Sequence, residues 1–164
     1  MRIYVTLCLL FFTMYSFSQK KLKALLKKEN TNSIPYISVD SLKSETATFT
    51  LLDSREPKEF KTSHIKNAIC VGYDFFNVDS ISGNLPDKDA KIIVYCSIGI
   101  RSEDIGEKLK KAGYTNVHNL YGGIFEWKNK GNPVYDSKEV ETDNIHTFSK
   151  PWSKWLTKGT KIYD

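Results

Sequence analysis

Short apolar strands alternating with helices constrain this chain more than any other feature. The clearest strand is Ile92-Ile93-Val94-Tyr95. A helix follows from about Arg101 to Ala112, with Ile105, Leu109 and Ala112 spaced for one buried face. Gly113 ends that helix as the glycine just past its C-cap. Thr48 to Asp53 reads as a buried strand, and Glu56-Pro57 opens a short helix that tolerates proline in its first turn. Ala68 to Val71 and Asn116 to Leu120 are further strands, and Phe75 to Ile81 reads as helical. Gly122-Gly123 forms a tight turn before a last short helix over Ile124 to Asn129. The order predicts an α/β domain built on a small, mainly parallel sheet flanked by helices. In such sheets the reactive groups gather at the carboxyl ends of the strands.

One residue occupies that place. Cys96 follows the Ile92–Tyr95 strand and precedes Ser97-Ile98-Gly99-Ile100-Arg101-Ser102, which runs into the helix. A loop curling from strand to helix can aim several backbone N–H groups at its own centre. The helix N-terminus behind it adds about half a positive charge. Gly99 permits a backbone angle that other residues resist. A thiol at that focus is favoured as thiolate, which makes Cys96 a candidate nucleophile. The alternative is a buried structural cysteine, a common fate for this residue type.

Composition removes several other classes. Three cysteines in 164 residues are too few for a disulfide scaffold, and no Cys-x-x-Cys is present. His64, His118 and His146 are too scattered for a metal site, so no metal is expected. Lys plus Arg exceed Asp plus Glu by 24 to 19, a modest and scattered excess that is a weak argument for nucleic acid and a mild preference for small anions, so no nucleic-acid partner is expected.

The segment Val94-Tyr95-Cys96-Ser97-Ile98-Gly99-Ile100-Arg101-Ser102 resembles the active-site loop of the rhodanese family. Upstream, Leu51-Leu52-Asp53-Ser54-Arg55-Glu56-Pro57-Lys58-Glu59-Phe60, then His64-Ile65 and Ala68-Ile69, resemble that family's first block. Downstream, Ala112-Gly113-Tyr114 to Val117 and Leu120-Tyr121-Gly122-Gly123-Ile124-Phe125-Glu126-Trp127 resemble its closing block. The resemblance implies a sulfurtransferase in which Cys96 carries a persulfide, with Ser97, Ile98, Gly99, Ile100, Arg101 and Ser102 around the substrate. It implies a small sulfur-containing anion or a persulfide as donor, a thiol as acceptor, and no metal or organic cofactor. The alternative within the family is a non-catalytic module that binds a partner or senses sulfur or redox state through Cys96. Related phosphatases and arsenate reductases use a loop one residue longer, and the shorter loop here suits a sulfur atom. Two departures stand out: Ser97 where many active members carry a basic residue, and Ile100 where a polar or small one is usual. Both weaken attraction for a dianion, so thiosulfate is expected to be a poor donor compared with a protein or low-molecular-weight persulfide.

Supporting roles are also expected. Asp53 sits at a strand end near the site, and Arg55 and Glu59 are expected to pair with each other or brace the loop. Arg101 either binds an anionic substrate or ties the loop to acidic neighbours. Cys70 is expected to be buried in its strand, with a resolving role towards Cys96 as the alternative.

The two ends are expected to lie outside the core domain of 38–135. Residues 1–18 carry Arg2, an apolar run from Ile3 to Phe12 and small residues at Ser16 and Ser18, the pattern of a secretory signal. Cleavage near Ser18 would deliver the protein to the periplasm or the extracellular space. An uncleaved segment would instead act as an anchor, the one membrane contact expected. Within the basic segment 19–37, Lys20 to Lys28 reads as a short solvated helix or a ragged terminus. Residues 136–164 hold Phe148, Trp152, Trp155 and Leu156, too apolar for water, and are expected to form a strap packed on the domain.

Overall fold

A strand that is apolar at every position needs cover on both faces, and a parallel sheet wrapped by helices supplies it. The computed structural model describes residues 20–83 and 85–163; the expected export signal over 1–18 lies outside them. In chain order the elements are α1 (20–29), β1 (Tyr36–Ile37), α2 (Val39–Lys43), β2 (Phe49–Asp53), α3 (Pro57–Thr62) and β3 (Ile69–Cys70). There follow α4 (Asp79–Ser82), β4 (Lys91–Tyr95), α5 (Arg101–Lys111), β5 (Val117–Leu120) and α6 (Gly123–Asn129). Short strands complete the chain: β6 (Val134–Tyr135), β7 (Glu141–Thr142), β8 (Asn144–His146) and β9 (Thr160–Ile162). The main sheet has the order β1-β5-β4-β2-β3 with every pairing parallel, as the strand–helix alternation predicts.

Side chains alternate across β4, and each face has its own core. Ile93 and Tyr95 join Leu51, α6 residues Ile124 and Phe125, and the C-terminal Ile145 and Leu156. Ile92 and Val94 join Leu52 and the α5 residues Ile105 and Leu109. Helix α5 ends in a Schellman motif: Tyr114 N–H bonds the Leu109 carbonyl at 3.1 Å and Gly113 N–H bonds Lys110 at 3.0 Å. Gly113 has φ +92°, which explains the glycine.

Three local expectations change. The basic segment is not a solvated helix, because α1 buries Leu22 and Leu26 against the sheet. Burial of each is worth roughly 1.5–3 kcal/mol, and so short a helix depends on such docking to persist. The helix expected over Phe75 to Ile81 shrinks to α4. Asn77 Oδ1 accepts the Asp79 N–H at 2.9 Å, and this turn delays helix entry while Phe75 stays 96% exposed. Cys70 is half-buried on the edge strand β3 rather than buried within it.

The C-terminal segment shares the core of the domain. Ile145, Trp155 and Leu156 pack there, and β8 pairs with β9 in parallel. The last residue of α6 holds it in place: Asn129 Nδ2 donates to the Trp155 carbonyl at 2.9 Å, while its Oδ1 accepts the Thr157 N–H at 2.7 Å.

Candidate active site

Strands β2, β4 and β5 point their carboxyl ends the same way, so Asp53, Cys96 and Gly122 arrive at one edge of the sheet. Cys96 leaves β4 and the chain turns at once into α5. Gly99 makes that turn possible with φ +109°, a conformation open essentially to glycine alone. The turn brings the Gly99 N–H to 3.1 Å from Cys96 Sγ. The Ser102 hydroxyl lies 3.6 Å from the same sulfur.

That hydroxyl has one proton and two acceptors in reach. Asn119 Oδ1 is 2.7 Å away, and its amide nitrogen donates to the Gly99 carbonyl at 2.9 Å and to Glu103. The Ser102 proton therefore rests on Asn119 while the sulfur is a thiol, and can turn to the sulfur when it is a thiolate. The Gly99 carbonyl also accepts from Asn30 Nδ2 at 2.8 Å, a residue just past α1. Two buried amides thus anchor the Gly99 carbonyl, on the other side of the α-carbon from the N–H that faces the thiol.

Helix α6 clamps the loop from behind. Its Ile124 and Phe125 N–H groups bond the Cys96 and Ser97 carbonyls at 2.9 and 3.1 Å. The approach is so close that a Cβ on Gly123 would lie 2.2 Å from the Cys96 carbonyl oxygen.

A cleft of about 310 Å³ opens over Cys96, Ser97, Ile98, Ile100 and Arg101, large enough for a small ligand. Arg101 does not present a free charge there. Its Nη1 and Nη2 donate to Glu59 Oε2 and Oε1 at 2.7 and 2.8 Å, and Nη2 also reaches Ser97 Oγ at 3.2 Å. Of its two expected roles, tying the loop to an acidic neighbour is the one seen. Asp53 and Arg55 are wholly buried partners of each other (Oδ2 to Nη2, 2.6 Å) and do not line the cleft. The expected Arg55–Glu59 pair is therefore replaced by two others, Arg55–Asp53 and Glu59–Arg101. His64 also stands apart from the cleft, stacked on Phe60 with its Nε2 3.0 Å from Glu139.

Electrostatics follow from these pairings. Burial alone would raise Glu59, but the bonds and charge of Arg101 and the charge of Arg55 win, holding its carboxyl below the ordinary 4.5. A lowered folded-state value means the carboxylate stabilises the fold fully above that ordinary range. The contribution is lost as pH falls through the lowered value. Glu59→Gln is therefore expected to be less stable than the parent at pH 7, with the gap closing below about pH 4.5; urea midpoints across pH 3–7 read this directly. An unchanging gap would mean the charge does not matter. Cys70 goes the other way, since burial, helped by the Asp53 charge, pushes its thiol up and makes it a poor attacking group.

Sequence reasoning finds Cys96, Gly99 and the loop but misses Asn30, Asn119, Phe148 and Trp152 as neighbours of the site. Asn119 carries one usable signal: it falls with Val117 on one face of its strand, and an amide buried there must be bonded to something.

A 39% identity over 82 residues links the chain to the adenylyltransferase and sulfurtransferase UBA4 of Candida albicans, covering 47% of this chain and 19% of that protein. A tRNA uridine(34) hydroxylase of Erwinia tasmaniensis is 34% identical over 93 residues, or 51% of this chain and 26% of that one. The chain thus spans about a quarter or less of these curated relatives. Among solved structures, the rhodanese-like domain of the Alr3790 protein from Anabaena superposes with a TM-score of 0.57 and 29% identity, covering 62% of this chain and 79% of that one. The family profile described as the rhodanese-like domain matches residues 38–130, from the start of α2 to the end of α6. With more than half its length inside that match and the cysteine loop at its centre, the chain belongs to the rhodanese-like domain family.

Proposed function

We propose that this protein is a sulfurtransferase that carries sulfane sulfur on Cys96. The observation that carries the reading is the sulfur itself: on the wall of an open cleft, at a strand end, facing the Gly99 N–H at 3.1 Å. Cys96 is 2% exposed yet lines that cleft, a placement that a cysteine serving only to pack does not need.

The chemistry needs no redox partner. The Cys96 thiolate attacks the outer sulfur of a donor R–S–S–H. A bond from Sγ to that sulfur forms, the donor's S–S bond breaks, and R–S⁻ leaves with the electron pair. The proton stays on the transferred sulfur, leaving Cys96 as a hydropersulfide. An acceptor thiolate then attacks that outer sulfur and Cys96 departs as thiolate, so the charge balances in both halves. The Gly99 amide and the Ser102 hydroxyl stabilise the anionic sulfur at each end of the cycle. Asn119 and Asn30 act as positioning residues that hold the Gly99 carbonyl and so restrain the residue whose N–H faces the sulfur.

Intact mass tests the reading. Protein mixed with cysteine hydropersulfide is expected to gain the mass of one sulfur atom, lose it again to a thiol acceptor, and show neither change in Cys96→Ser. A protein that takes no sulfur from either a persulfide or thiosulfate is instead a binding or sensing module.

A further inference from the structure

We propose that the C-terminal segment builds the specificity wall of the sulfur site, through Phe148 and Trp152, and selects donors with an apolar body and low charge. This rests on the sulfur-transfer reading and names its substrate class. Both residues lie beyond the stretch matched to the family, 38–130. Both nevertheless line the cleft over Cys96, together with the loop residues Ile98 and Ile100.

Phe148 is held there against its own preferences. Its backbone has φ +63°, costly for a bulky aromatic, and the side chain is 52% exposed. The turn is pinned by the Phe148 N–H donating to Nδ1 of buried His146 at 3.2 Å. An aromatic ring kept half in water at a strained position is not there to fill the core. Trp152, packed against the main core, completes the wall.

Charge on the other walls points the same way. Among the described lining residues Arg101 is the one cation, and Glu59 neutralises it through a bidentate pair. Its guanidinium faces the Phe148 ring at 5.3 Å and the Tyr73 ring at 5.9 Å, so aromatic faces cover it further. The Tyr73 hydroxyl is committed to Asp104 at 2.6 Å; that bond, and then burial, push it up to about 12, leaving a neutral ring. Glu29 also lines the cleft, and its carboxylate is paired with Lys28 Nζ at 3.2 Å, so it offers an anion no attraction. A dianion such as thiosulfate would meet an anionic nucleophile and a spent arginine. A neutral hydropersulfide on an aryl or alkyl carrier meets apolar walls and needs no counter-charge.

Competition between donors tests this on the full chain. Loading rates of Cys96 are measured by intact mass with benzyl hydropersulfide and with cysteine hydropersulfide, which share the reacting S–S bond and differ in the body attached to it. The parent is expected to load faster from the benzyl donor. Phe148→Asn removes the ring with a residue that accepts positive φ, and Trp152→Leu removes the second wall without touching that turn. Each is expected to shrink the benzyl-to-cysteine ratio by about tenfold, the range a lost apolar contact gives in a specificity pocket. Equal loading of both donors by the parent, or a ratio unchanged in both variants, overturns the wall while leaving sulfur transfer intact. Absence of loading from every donor, thiosulfate included, overturns the transfer reading and this one with it.

Discussion

The Gly123→Ala variant is expected to lose sulfur loading at Cys96 although the cysteine, its loop sequence and every side chain in the cleft are retained. Its new Cβ would lie 2.2 Å from the Cys96 carbonyl oxygen and 2.7 Å from the Ser97 carbonyl carbon and oxygen. Neither obstacle is a flexible side-chain end that can rotate away. The backbone of the loop or that of α6 has to move, and either motion breaks the bonds from Ile124 and Phe125 N–H to those same carbonyls. Position 123 also has φ +54°, which costs a non-glycine residue about 1–2 kcal/mol, and forced overpacking adds roughly 1–3 kcal/mol. A displaced Cys96–Ser97 segment carries Sγ away from Gly99 N–H, so the loading rate falls further than stability alone would require. Urea melts and mass-resolved loading on the same sample separate the two effects. A variant that unfolds at the parental midpoint and loads at the parental rate would show that α6 does not clamp the loop.

The loop was legible in the sequence because its causes are local. An unbroken apolar strand, a cysteine, a glycine and a helix with spaced Ile105 and Leu109 lie within twenty residues, and each shapes the next. Gly113 was readable for the same reason: a C-terminal helix stop is a property of adjacent residues. What stayed hidden was set by contacts between distant positions. Glu59 meets Arg101 across 42 residues and Asn30 meets Gly99 across 69, and no spacing rule reaches so far. The pairing of carboxylates with arginines is a choice among Asp53, Glu56 and Glu59 for Arg55 and Arg101, which only the register of β2 beside β4 resolves. The missed part of the wall has the same origin, since Phe148 reaches the cleft only through a turn that follows β8.

Asp53→Ala is expected to destabilise the fold by about 3–5 kcal/mol, the usual cost of removing one member of a buried ion pair. The pair is sealed from water on both sides. Asp53 Oδ1 accepts the Arg55 N–H at 2.9 Å and Nε at 3.0 Å, while Oδ2 accepts Nη2 at 2.6 Å. Burial works against the Arg55 charge, yet the Asp53 carboxylate more than compensates and raises the guanidinium above its ordinary value. Without that carboxylate the guanidinium keeps one hydrogen bond among the described residues, to the Ser63 carbonyl at 2.6 Å, with the Tyr95 ring 5.8 Å away and the Glu59 charge farther off; Nη1 has no hydrogen-bond partner among those residues even in the intact protein. The effect travels to the cleft, because Asp53 ends β2 and starts the segment that carries Glu59 to Arg101. Removing both charges separates an unpaired ion from a lost contact. The Asp53→Leu, Arg55→Met double variant is expected to recover much of the stability, since apolar groups of similar volume can replace a buried pair at little cost. A double variant whose loss equals the sum of its single losses would show that the two residues do not act as a pair. Denaturant midpoints of the parent, Asp53→Leu, Arg55→Met and the double supply the full cycle.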